Sequence, residues 1–155
     1  MKIPDIEIKE LVDISLEAGE AILRIYQSED FGIEIKEDES PLTLADRESH
    51  QIIKRRLESA FPSIPLLSEE GKEIPYRDRR GWEYFWLVDP LDGTKEFISR
   101  NGEFTVNISL IVKNRPVLGV IYAPVLKTCY HTGDQGRTFK ITEGAEPERI
   151  EVNRD

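Results

Sequence analysis

The chain has 155 residues, with 21 Lys plus Arg against 30 Asp plus Glu and a formal net charge of −9. That length suits one domain; 39% hydrophobic residues suffice for a core, and the 8% aromatic content argues against disorder. The acidic balance disfavours a nucleic-acid or anionic-membrane binder but not a phosphate substrate, because a bound metal reverses the local field.

The N-terminus, Met1-Lys2-Ile3-Pro4-Asp5, turns acidic at once and shows no signal-peptide apolar region. Apolar and small residues then recur with helical period over 6–26, among them Leu11, Val12, Ser15, Ala18, Gly19, Ile22 and Tyr26. Alternation of Phe31, Ile33 and Ile35 with polar residues predicts a strand over 31–36, and 36–41 reads as a polar loop. A second helix is expected over 43–61, with Thr43 as N-cap, Asp46 three residues on as in a capping box, and Pro62 ending it. A short buried strand over 64–67 runs into Ser68-Glu69-Glu70-Gly71, and 72–81 is charged and loop-like. A strand is predicted over 82–88, stopped by Asp89-Pro90, with a helical turn over 93–98. Strands over 104–112, 117–122 and 129–131 form a meander, the first two joined by a turn at Lys113-Asn114-Arg115-Pro116. A second turn over 133–136 leads to a strand over 138–141. Two helices followed by mostly antiparallel strands make an α+β fold, two helices layered on a largely antiparallel sheet. No apolar run is long enough to span a bilayer, so a soluble, cytoplasmic protein is expected.

The chemistry concentrates in Trp86-Leu87-Val88-Asp89-Pro90-Leu91-Asp92-Gly93-Thr94. An apolar strand delivers Asp89 at its end, Pro90 keeps Asp89 extended, and Asp92-Gly93 turns the chain sharply. Two carboxylates three residues apart across such a turn can converge on one point. The backbone N–H groups of Gly93 and Thr94 face the same point, as at a helix start. Carboxylate oxygens suit Mg²⁺ and helix-start amides suit phosphate, which together describe a metal-assisted phosphate site. Asp92-Gly93-Thr94 alone would read as an ordinary turn and cap; Asp89, Pro90 and the preceding strand favour the site. Glu69-Glu70 also lies just past a short apolar strand. If the two strands are neighbours, three or four carboxylates meet, and their repulsion calls for a cation; otherwise the pair is a solvated loop. Asp46 is either a helix cap or a carboxylate that orients the Thr94 hydroxyl and draws a proton from attacking water.

Other chemistries fall away. Pro90 stands where an aspartyl-phosphate enzyme of the haloacid dehalogenase type needs its nucleophile, and no P-loop pattern occurs. Cys129, the sole cysteine, excludes an intrachain disulfide and a thiolate zinc cage, and reads as a core thiol. His50 reads as structural or exposed, Arg77-Asp78-Arg79-Arg80 as a solvated loop, and Trp82 and Trp86 as core.

The string Asp89-Pro90-Leu91-Asp92-Gly93-Thr94, with Glu69-Glu70 upstream, resembles the inositol monophosphatase-like, lithium-sensitive, magnesium-dependent phosphatases. The stretch WLVDPLDGTKEFISRNGEFTVN from Trp86 to Asn107 is similar to their 3'(2'),5'-bisphosphate nucleotidase branch. Thr94-Lys95-Glu96-Phe97 and the run from Asn101 to Ile108 separate that branch from inositol monophosphatases. The resemblance implies that Glu69, Asp89, Asp92 and the Leu91 carbonyl hold Mg²⁺. It implies that Asp46 and Thr94 activate water and that the Gly93 and Thr94 amides hold the phosphate, Glu69, Leu91 and Asp92 bordering it. The implied reaction is in-line hydrolysis of adenosine 3',5'-bisphosphate to AMP and phosphate, without a covalent intermediate, in sulfur metabolism. Such proteins are about twice this long, so the resemblance further implies an N-terminal metal-binding domain alone, whose uncovered face could self-associate. The alternatives are an inositol (poly)phosphate phosphatase and a catalytically weak fragment that binds Mg²⁺ and phosphate.

Overall fold

A computed structural model describes residues 6–133 and 136–151. Helix α1 (Ile8–Tyr26) turns Leu11, Ile14, Ala18 and Ile22 inward. Helix α2 (Leu44–Ala60) begins at a full capping box: the Ala45 amide donates to Thr43 Oγ1 at 3.2 Å and the Thr43 amide to Asp46 Oδ2 at 2.8 Å. Between the two lies a ribbon, β1 (Glu34–Ile35) paired antiparallel with β2 (Pro41–Leu42). The strand expected over 31–36 is thus cut to two residues, and its partner lies at the edge of the expected loop. Gly32, at φ +55°, breaks the extended run. The ribbon stands apart from the main sheet, so Phe31 is buried but Ile33 and Ile35 are 51% and 68% exposed.

The main sheet has seven strands in sequence order: β3 (Leu66–Ser68), β4 (Tyr84–Asp92), β5 (Thr105–Val112), β6 (Arg115–Ala123), β7 (Thr128–Thr132), β8 (Thr138–Thr142) and β9 (Glu148–Ile150). Only β3 and β4 run parallel, and every other neighbouring pair is antiparallel. The α+β layering is as expected, since α1 packs on β5, β6 and β7 and α2 on β3 and β4. The tightest point is Gly19, where a Cβ would collide with the Tyr122 ring of β6. Arg56 of α2 ties the helices together through Glu10, at 2.9 Å, and Glu17 of α1.

Several boundaries depart from expectation. Strand β4 does not stop at Asp89-Pro90 but continues to Asp92, because Pro90 falls where the β4–β5 register shifts and no ladder N–H is required. The hairpin after β5 turns on Lys113 and Asn114 alone, at φ +47° and +63°, the tight geometry that matches strand twist; Arg115 and Pro116 join β6. One helical turn, α3 (Tyr76–Arg79), interrupts the loop expected over 72–81, and α4 (Thr94–Ile98) follows Gly93. Strand β9 has no counterpart in the sequence reading. Of the turn expected over 133–136, Asp134 and Gln135 lie outside the described residues.

Even-numbered residues of β4 and β5, such as Trp86, Val88, Val106 and Ile108, point into the core beneath the helices. Odd-numbered ones line the opposite face with Leu67, Gly119 and Ile121, around a shallow cavity of about 570 Å³ that reaches Glu69 and Asp89. Leu87 and Ile121 on that face are 43% and 50% exposed. Among the described residues no helix is long and apolar enough to cross a membrane.

Candidate active site

The parallel pairing of β3 with β4 brings the two acidic segments together. Pairing extends one step past β3, where the Glu69 amide donates to the Val88 carbonyl at 3.1 Å. Glu69 therefore begins its excursion beside Asp89, close enough for its charge to act on the Asp89 carboxyl. Burial first, then the charges of Glu69 and Asp92, push the Asp89 carboxyl up to about 7. Asp89 Oδ1 is buried and has no hydrogen-bond partner. A buried, unsatisfied carboxylate oxygen facing two further carboxylates is a costly arrangement.

Glu70 has a cationic partner. Lys36, on the ribbon turn between β1 and β2, makes an ion pair with Glu70 and lies 3.7 Å from Glu69 Oε1. Burial raises the Glu70 carboxyl, and the Lys36 ammonium offsets part of that rise. Lys36 is absent from the sequence reading because nothing in a polar loop 34 positions away marks it as a partner of Glu70.

Asp46 both caps α2 and binds the Thr94 hydroxyl. Its Oδ2 receives the Thr43 amide at 2.8 Å and the Thr43 hydroxyl at 2.5 Å, and its Oδ1 receives the Thr94 hydroxyl at 2.9 Å. The side chain is 1% exposed and its hydrogen bonds fix both oxygens. Asp46 belongs to a row on α2. Ser49, three residues on, donates to the Pro90 carbonyl at 2.6 Å, and His50 Nδ1 lies 2.9 Å from Ser68 Oγ. One helix face thus holds the Thr94 turn, the β4 bulge and the end of β3. The spacing 46, 49, 50 was the available signal, since such positions share a helix face. His50 is buried, and that burial lowers its pKa.

Leu91 is buried, and its carbonyl lies 3.4 Å from Thr94 Oγ1. Gly93 adopts φ +97°, and a Cβ there would approach the Glu103 carbonyl to 2.9 Å. The position therefore demands glycine. The Gly93 carbonyl accepts from Phe97 and starts α4. Asp92 is exposed, and its Oδ2 receives the Asn107 amide at 3.2 Å. Cys129 is a core thiol as expected, 3% exposed and pushed up to about 11 by burial. Trp86 is wholly buried and Trp82 packs beside Phe85.

Among the described residues no three His, Cys, Asp or Glu side chains form a ready-made ligand cage. The surroundings of Asp89 nonetheless fit a hard divalent cation, because the donors there are all oxygens and the unpaired Oδ1 lacks any other partner. Next to them stands a hydroxyl, Thr94, whose proton already points at a fixed carboxylate. That pairing is suited to accepting a proton from a water at the edge of the carboxylate group.

Residues 6–155 match the inositol monophosphatase family, and the chain belongs to it. Among curated proteins it is 46% identical over 134 residues to the 3'(2'),5'-bisphosphate nucleotidase CysQ of Salmonella typhimurium, covering 86% of this chain and 54% of that protein. The protein of the same name from Haemophilus influenzae is 41% identical over 133 residues, covering 86% and 49%. This chain spans about half the length of the curated relatives it matches. Among solved structures, CysQ from Bacteroides thetaiotaomicron superposes with a TM-score of 0.77 at 43% identity, covering 96% of this chain and 59% of that one. An inositol monophosphatase from Thermotoga maritima, at 23% identity and a TM-score of 0.79, shares the fold.

Proposed function

We propose that this chain carries the cation-binding and water-activating part of a magnesium-dependent phosphomonoesterase, whose substrate is adenosine 3',5'-bisphosphate and whose products are AMP and phosphate. Glu69, Asp89, Asp92 and the Leu91 carbonyl would hold Mg²⁺. When bound, the cation lowers the pKa of water and neutralises charge on the phosphoryl oxygens. The chain's own groups do the rest. Thr94 Oγ1 accepts a proton from the attacking water while its own proton passes to Asp46 Oδ1 along the 2.9 Å bond. The two Thr43 donors on Asp46 Oδ2 keep that carboxylate turned toward Thr94 throughout. The Gly93 and Thr94 amides face the phosphate oxygens.

The observation that carries this reading is the unsatisfied buried oxygen of Asp89 in the strand end that also leads to the Asp46-bound Thr94. The choice of nucleotide over inositol phosphate is supported by the 41–46% identity to proteins named 3'(2'),5'-bisphosphate nucleotidase. Phosphate release from adenosine 3',5'-bisphosphate and from inositol monophosphate, each with and without Mg²⁺, tests it. Mg²⁺-dependent release from the nucleotide in clear preference is expected. Preference for inositol monophosphate would reassign the substrate. Release from neither, with measurable Mg²⁺ binding, would leave a cation- and phosphate-binding unit without turnover.

A further inference from the structure

Asp92 ends β4. It is exposed, and it sits between the β4 bulge and the positive-φ Gly93. One neighbour reaches it from the adjacent strand. Asn107 lies on β5 directly opposite Asp89 in the antiparallel register, on the sheet face away from the helices. Its Nδ2 is 3.2 Å from Asp92 Oδ2, and Thr105 Oγ1 is 3.2 Å from its Oδ1.

The chemistry of the three groups fixes the amide. A carboxylate only accepts hydrogen bonds, so the NH₂ of Asn107 must face Asp92. The amide oxygen then faces Thr105, whose hydroxyl donates to it. Register pairs Thr105 with Asp92 itself, so β5 presents donor and support at consecutive positions on one face. Charge explains the residue type. A lysine or arginine here would neutralise the carboxylates and compete with a divalent cation. An aspartate would add a further negative charge opposite Asp89. Asparagine supplies one directed bond and no charge.

We propose that Asn107 is a positioning residue for this site, holding Asp92 Oδ2 so that Oδ1 is presented to the cation, with Thr105 locking its amide. The proposal deepens the function given above and rests on the reading of Asp92 as a cation-site carboxylate. It makes β5 a working part of the site, although none of the carboxylates at the end of β4 lies on it.

The test compares Asn107→Asp and Asn107→Ala with the unaltered chain. The readouts are Mg²⁺ affinity by calorimetric titration, kcat and KM for phosphate release, and thermal melting. Asn107→Asp keeps the shape but exchanges the donor for a further negative charge, and Asn107→Ala removes the donor without adding charge, so a loss shared by both variants reports the missing bond. Both variants are expected to lose roughly tenfold or more in Mg²⁺ affinity and kcat, with KM moved less and melting near that of the parent. Mg²⁺ binding and turnover in both variants equal to or better than the parent would overturn the proposal. If the parent chain itself binds no Mg²⁺, the proposed function fails, and the Asn107–Asp92 bond is judged separately by NMR. The Asn107 side-chain amide signals should then shift on Asp92→Ala, and unmoved signals would overturn the bond as well.

Discussion

Asp89 holds the clearest electrostatic signature in the molecule, and its consequence for stability follows by linkage. Its carboxyl is ordinarily near 3.8 and is pushed up to about 7 in the fold. Without a cation, the folded chain therefore binds a proton that the unfolded chain has released between those values. The stability that this contributes is present in full below the unfolded value and is lost as pH rises through 7. The cation-free protein should melt at progressively lower temperature from pH 5 to pH 8, relative to Asp89→Asn, in which that slope is flattened. Saturating Mg²⁺ should restore the parent at pH 8 but leave Asp89→Asn unmoved. Parallel melting curves for the two proteins at every pH would refute this. Thr94 is tested through kinetics: Thr94→Ala should lower kcat by about a hundredfold or more, the range of a lost general acid–base group, with KM within a few-fold. A change confined to KM would place water activation elsewhere. At this scale the sequence marked Asp46, Asp89, Asp92 and Thr94 because motif residues carry their own spacing. Lys36 escaped it, and Asn107 was quoted in a string without a role, because their partners lie 34 and 15 positions away and are met only through the fold.

Helix α2 shows what an element can and cannot reveal in advance. Its extent and its Thr43 cap were readable, since capping chemistry is local. That Ser49 and His50 reach the Pro90 carbonyl and Ser68 was not, because helical spacing shows that residues share a face but not what that face meets. Strand β4 was read short for a related reason. Proline usually ends a strand, and only the register shift against β5 reveals that Pro90 sits in a bulge. The same bulge carries Asp89 and Asp92 on either side and ends in Gly93. Gly93→Ala forces a Cβ against the Glu103 carbonyl at a backbone angle few side chains adopt. It should destabilise the fold by about 1–3 kcal/mol, as strained positive-φ positions do, and lower Mg²⁺-dependent turnover more than any effect of stability explains. Full turnover in a well-folded Gly93→Ala protein would show that the bulge geometry is not needed.

Over the whole molecule, three separate stretches of chain meet at one place: the start of α2, the end of β3, and the β4 bulge with the turn into α4 that follows it. The layering of two helices on a sheet was legible from periodicity. The parallel β3–β4 pair was not, because a three-residue apolar strand has no pattern that selects its partner. That single pairing decides whether Glu69 stands beside Asp89 or in solvent, so the site depends on topology more than on any motif. The central claim is that the gathered carboxylates bind a divalent cation. It is tested most directly by calorimetric titration of Mg²⁺ into the cation-free chain and into Asp92→Asn. Saturable binding that weakens at least tenfold in Asp92→Asn, a loss of about 1.4 kcal/mol or more, is the predicted result. Absence of saturable binding, or equal affinity in the two proteins, would contradict it.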